Sequence, residues 1–185
     1  MYKKVLGIVL LMAATPALAG DLSYSYVGGS FQSIEIDNDF GPDPDGDGLA
    51  VEFSFDIANN WYLLGEYGKG DLNFGLDYDV TSFGVGYHAP FSDRVDLYAA
   101  LTYESRDFGF ADDSGYGMAV GVRGYASDKV ELQGRVSYID IGDFDDTSIG
   151  GTALYEFNER FALGLDIDAG DVTIVGLTAR FYFTR

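Results

Sequence analysis

The chain predicts an all-β fold: a closed, antiparallel, up-and-down transmembrane β-barrel of ten strands, with eight as the alternative count. Three observations carry this. A turn motif occurs four times, the segments between the turns alternate apolar and polar residues, and the aromatic residues gather into two belts.

Taken in order, the first element is a leader. Lys3-Lys4, an apolar run from Val5 to Ala14, and Ala17-Leu18-Ala19 after Pro16 form the charged, apolar and cleavage regions of a secretory signal peptide over residues 1–19. The apolar run is too short for a spanning helix, which needs roughly 20 residues. Residues 20–185 then form a single barrel domain.

The turns come next. Ala58-Asn59-Asn60-Trp61-Tyr62-Leu63, Ser92-Asp93-Arg94-Val95-Asp96-Leu97, Ser127-Asp128-Lys129-Val130-Glu131-Leu132 and Asn158-Glu159-Arg160-Phe161-Ala162-Leu163 each place a turn-forming polar pair before an apolar, polar, apolar restart. They recur every 31 to 35 residues, the length of one hairpin with its loop. Four tight turns define eight strands. Residues 22–36 and 172–183 supply one more at each end, so both termini lie on the tight-turn side. Around Val27-Gly28-Gly29 the alternation slips, which predicts a bulge in the first strand.

Between turns, one face is apolar at period two, as in Leu49, Val51, Phe53, Phe55 and Ile57, or Phe161, Leu163, Leu165 and Ile167. The other face carries Gly, Ser, Thr and charge, including Glu52, Glu66, Glu104, Glu131, Glu156 and Asp166 with Arg123, Arg135 and Arg180. A soluble sandwich shows the same period with the apolar side inward. Aromatic height decides between them. Phe55, Trp61, Tyr87, Phe91, Tyr155, Phe157, Phe161, Tyr182 and Phe183 lie near the tight turns, and Tyr67, Tyr78, Tyr103, Tyr116 and Tyr138 lie near the other ends. Rings settle at a water–lipid boundary while aliphatic chains fill the hydrocarbon, so two belts flanking an aliphatic band predict a bilayer outside and charges in the lumen.

With the turn motif and the last strand, Gly176-Leu177-Thr178-Ala179-Arg180-Phe181-Tyr182-Phe183, the chain resembles the small outer-membrane barrels of Gram-negative bacteria, the OmpA transmembrane-domain and OmpX-like, porin-like superfamily. The resemblance covers the mature chain. It implies residence in the cell outer membrane, contact with outer-membrane lipid and lipopolysaccharide, delivery through the barrel assembly machinery, and a monomer. Thr184-Arg185 after the last Phe and ten strands instead of eight depart from the family pattern.

The long connections hold mostly aspartate, including Asp143, Asp145 and Asp146 and then Asp168 and Asp171, with basic residues only at their edges, Lys69 and Arg106. The formal charge of the whole chain is −19, which excludes nucleic acid as a partner. Asp43-Pro44-Asp45-Gly46-Asp47-Gly48 matches the opening of a calcium loop, making Asp43, Asp45 and Asp47 candidate metal ligands for Ca²⁺ at residues 43–48. Ser54 stands where the closing glutamate belongs, so the motif is incomplete, and a turn-rich loop explains the same residues without a metal. No other cofactor is expected.

The chain has no cysteine, hence no disulfide, thiol nucleophile or lipidated cysteine. Its single histidine, His88, precedes a tight turn, away from the outer rim where a catalytic set would lie, so no enzyme is expected. Two functions remain: a barrel plugged by its own side chains with a structural or surface-interaction role, displaying acidic extracellular loops, or a narrow cation-preferring porin-like channel.

Overall fold

The computed structural model describes residues 22–37, 43–107 and 112–183; the expected leader, residues 1–19, lies outside them. Ten antiparallel strands follow one another around a closed barrel: β1 (Tyr26–Ile36), β2 (Asp45–Ala58), β3 (Trp61–Leu72), β4 (Leu76–Ser92), β5 (Val95–Asp107), β6 (Asp112–Ser127), β7 (Val130–Ile141), β8 (Phe144–Asn158), β9 (Phe161–Ala169) and β10 (Val172–Tyr182). One turn of 3-10 helix, Asn73–Gly75, joins β3 to β4. The barrel closes where β1 meets β10, from Tyr26 opposite Tyr182 to Ile36 opposite Val172.

The four repeated motifs are the hairpins at one end. Asn59 and Asn60 both adopt positive φ, 46° and 71°, which a two-residue turn matching strand twist requires. Each hairpin carries the same one-residue irregularity just before its turn, skipping Ile57, Phe91, Ala126 and Phe157. Each also makes the same bond sideways. The second turn residue's carbonyl (Asn60, Arg94, Lys129 or Arg160) accepts from a backbone N–H in the next hairpin or last strand, at His88, Tyr125, Glu156 and Tyr182 respectively. The repeat thus encodes a turn together with its link to the following unit.

The bulge expected in β1 is absent. Tyr26 to Ile36 pairs in unbroken register with both neighbours, and Gly28 has another purpose. It lies between Glu52 on β2 and Arg180 on β10, and a Cβ there would come within 2.6 Å of Glu52 Oε1. The missing side chain lets those two charges meet across β1.

The apolar face is the outer one, with Leu49, Phe83, Leu165 and Leu177 all well exposed, while the buried residues line the interior. Inward-facing Tyr78 and Tyr182 belong to this interior and not to the aromatic belts, because both sit on the lumen parity of their strands.

Leu165, at mid-height on β9, is 61% exposed. Leu165→Arg is expected to lower the unfolding free energy by about 2–4 kcal/mol, the cost of a cation at the bilayer midplane. Denaturant titration in lipid vesicles, followed by the fluorescence of the single tryptophan, Trp61, reads this directly.

Candidate functional site: the barrel lumen

Strand alternation sends three kinds of side chain inward, and they sort by height. Towards the tight-turn end lies an ionic and aromatic layer. Arg123 and Glu131 form a two-pronged pair, Nε to Oε1 at 2.8 Å and Nη2 to Oε2 at 3.0 Å, between side chains 2% and 1% exposed. Arg180 donates to Glu52 at 2.8 Å and lies 3.5 Å from Glu131, which also accepts from the Tyr182 hydroxyl at 3.1 Å. The Tyr125 hydroxyl donates to Glu156 at 2.8 Å. The guanidinium of Arg123 lies 4.6 Å from the ring centroid of Tyr24, and that of Arg180 lies 4.4 Å from that of Tyr26. Planar forks that match carboxylates and also stack on rings explain why arginine occupies both positions.

Towards the long-connection end, Ile34, Leu72, Tyr78, Val80 and Val172 pack into a buried apolar cluster, with Phe144 and Ile174 against it. A cavity of about 320 Å³, lined by residues of both layers, runs along the lumen. On its wall Arg135 donates to Asp166 at 3.2 Å and to Asp168. Thr152 donates to the same Asp166 at 2.5 Å.

All nine charges expected in the lumen point inward, but their pairing has its own logic. Arg123, Arg135 and Arg180 meet Glu131, Asp166 and Glu52. Glu104 accepts from Thr102 Oγ1 at 2.5 Å, and among the described residues neither it nor Glu66 is in an ion pair. Four lumen groups were expected elsewhere or passed over. Asp146 and Asp168, expected in loops, and Arg106, expected at a loop edge, lie on inward positions of β8, β9 and β5, and Asp96 on β5 faces inward too. Continuing the period-two count past the first aspartate of each connection would have found the first three.

His88 faces inward at the tight-turn end. Its Nδ1 lies 2.9 Å from Asp96, its Nε2 lies 3.8 Å from Asp56, and its ring stacks on Tyr24 at 4.0 Å. The Ser25 hydroxyl donates to the same Asp56 at 3.1 Å.

At the outer rim, β2 already begins at Asp45, opposite Glu35 on β1, so Asp45 and Asp47 share the strand's outward face. The backbone of Gly46 packs against that of Asp71 and Leu72, which is what its missing side chain permits. Asp43 instead joins Glu35 and Asp37, with carboxylate oxygens within 4.8 Å of one another. Cross-strand register also sets Asp47 opposite Asp71, Asp71 opposite Asp77, and Asp140 opposite Asp145, like charges that repel.

Arg123→Gln leaves Glu131 buried with reduced compensation and is expected to cost about 3–5 kcal/mol. Lys69→Gln, which removes an exposed 3.4 Å pair with Asp79 at the rim, is expected to cost no more than about 1 kcal/mol. Parallel urea titrations of the two variants check the contrast.

Residues 6–157 match the family described as outer membrane protein β-barrel domain. No curated protein matches the chain. Among solved structures, an outer membrane channel from Pseudomonas putida F1 is similar at 10% identity and a TM-score of 0.52, covering 92% of this chain and 100% of that one. The KdgM porin in complex with disordered oligogalacturonate is similar at 8% identity and a TM-score of 0.50, over 85% and 99%. Neisserial surface protein A is similar at 18% identity and a TM-score of 0.46, over 87% and 98%. At such identities the likeness concerns the fold alone.

Proposed function

The chain belongs to the outer membrane protein β-barrel family, and from that premise we propose that it is a closed, monomeric barrel of the Gram-negative outer membrane. Its role is structural or surface-interacting, with acidic connections displayed outside. The observation that carries this is the layer of Arg123, Glu131, Arg180 and Glu52 with Tyr24, Tyr26 and Tyr182 across the lumen. An ion that passes must separate buried, hydrogen-bonded charge pairs or dehydrate against them, and each alternative costs several kcal/mol. The apolar cluster at the other end adds a second barrier.

The outer rim supports the surface role. Aspartates in direct cross-strand opposition concentrate negative potential where the headgroups of lipid and lipopolysaccharide lie, and these are anionic as well. Divalent cations relieve both, since hard cations favour carboxylate and phosphate oxygens. Asp43, Asp45 and Asp47 contribute to that rim together with Glu35 and Asp37. Assembly into the membrane proceeds through the barrel assembly machinery, reading the aromatic last strand.

Wild-type protein in a planar bilayer is expected to be electrically silent. Arg180→Gln, which frees Glu52, is expected to produce a conductance that prefers cations, because acids then outnumber arginines further along the lumen. Steady wild-type conductance would select the narrow cation-preferring channel instead.

Millimolar calcium or magnesium is expected to slow proteolysis of the long connections relative to chelator, through screening and bridging of the opposed aspartates. Equal cleavage rates in the two conditions would remove the divalent-cation role.

A further inference from the structure

One row of inward positions crosses four adjacent strands in register: Glu52 on β2, Glu66 on β3, Ser82 on β4 and Glu104 on β5. All four line the internal cavity. Glu52 is neutralised by Arg180 across Gly28. Of the other arginines in reach, Arg123 meets Glu131 and Arg135 meets Asp166 and Asp168, while Arg106 donates to the neutral Tyr78 hydroxyl at 3.3 Å and its Nε has no hydrogen-bond partner among the described residues. Glu66 and Glu104 therefore face the cavity outside any ion pair among the described residues, two acids to the one unmatched arginine, and Glu104 is only 7% exposed.

A second, independent feature lies in the same wall. Ser54, 2% exposed and the next inward residue after Glu52 on β2, has an Oγ with no hydrogen-bond partner. A buried hydroxyl without a partner is costly, and this one can accept from a donor placed in the cavity. Among the described residues, the wall thus presents two acids outside any ion pair and a hydroxyl acceptor without a donor.

We infer that this cavity is a binding site for a small linear aliphatic diamine, its two ammonium groups held by Glu66 and Glu104. The two glutamates stand on strands separated by β4, with strand axes about 9–10 Å apart, a span that suits two charged heads on a short chain. The grouping of three acids close enough to hold an ion is Glu35, Asp37 and Asp43 at the rim, not this row. Leu64 and Ala100 offer apolar wall to the methylene linker, and a volume of about 320 Å³ lies within the range of small-ligand pockets. The site stands apart from the question of conductance, since it needs only the carboxylates and the space between them.

The test measures thermal unfolding of the folded barrel in detergent with 1,4-diaminobutane, 1,4-butanediol, or magnesium chloride at matched ionic strength. A saturable rise in unfolding temperature that depends on Glu66 and Glu104 is expected with the diamine and not with the diol or magnesium, whose effect, if any, belongs to the rim. It should vanish in the Glu66→Gln/Glu104→Gln double variant and persist in Glu35→Gln/Asp37→Asn, which alters only the rim. Should the double variant not fold, Glu104→Gln alone decides, with an expected loss of roughly tenfold in diamine affinity, the effect of removing one charged hydrogen-bond acceptor. The inference is overturned if magnesium or the diol gives the same rise lost on removal of Glu66 and Glu104, if the diamine response survives loss of those carboxylates, or if wild type does not respond to the diamine, as carboxyls that keep their own protons would dictate.

Discussion

A sheet in hydrocarbon tolerates no edge, because each unpaired N–H and C=O there costs several kcal/mol. The ten strands therefore exist only as a closed set, and the set is complete only when β1 lies against β10. That seam is also where side-chain chemistry acts across a strand. Arg180 on β10 reaches Glu52 on β2 over the bare backbone of Gly28. One ion pair thus spans three strands and links the last strand to the first hairpin.

Closure sets the character of everything inside. Alternation sends half of each strand inward, and a ten-stranded barrel gives those side chains little more room than one filled by its own interior. Charges in that space must pair with one another or remain uncompensated. At the tight-turn end they gather around Glu131, which takes both prongs of Arg123 and the hydroxyl of Tyr182. Replacing such a buried network with apolar groups is often neutral for stability, whereas removing one member is not. Glu66 and Glu104, in no ion pair among the described residues, line the lumen cavity, and the apolar cluster around Ile34 and Tyr78 bounds it on the far side.

The four hairpins show how a short local code builds a large object. Each turn restarts a strand, skips one residue, and offers its second carbonyl to the next unit. A motif that repeats in sequence thereby repeats a lateral bond in space. The tight-turn rim is stitched by this regular set, while the opposite rim is shaped by longer, acidic connections whose aspartates face one another.

Strand number, the outward apolar face and the inward charges were legible in the sequence, because turn chemistry and period two act between residues a few positions apart. Glu131 and Arg135 could be placed on lumen faces from that alone. What only the tertiary structure decided is which inward groups meet. Arg180 and Glu52 are 128 residues apart and become neighbours solely through barrel closure. Asp168 and Arg106 turned inward because their strands run further than the first aspartate suggests, and Asp45 and Asp47 became strand residues because β1 offered them a ladder. Local pattern assigns a side chain to a face, but its partner depends on the register and curvature of strands far away in the chain, and these are set by the closed sheet as a whole.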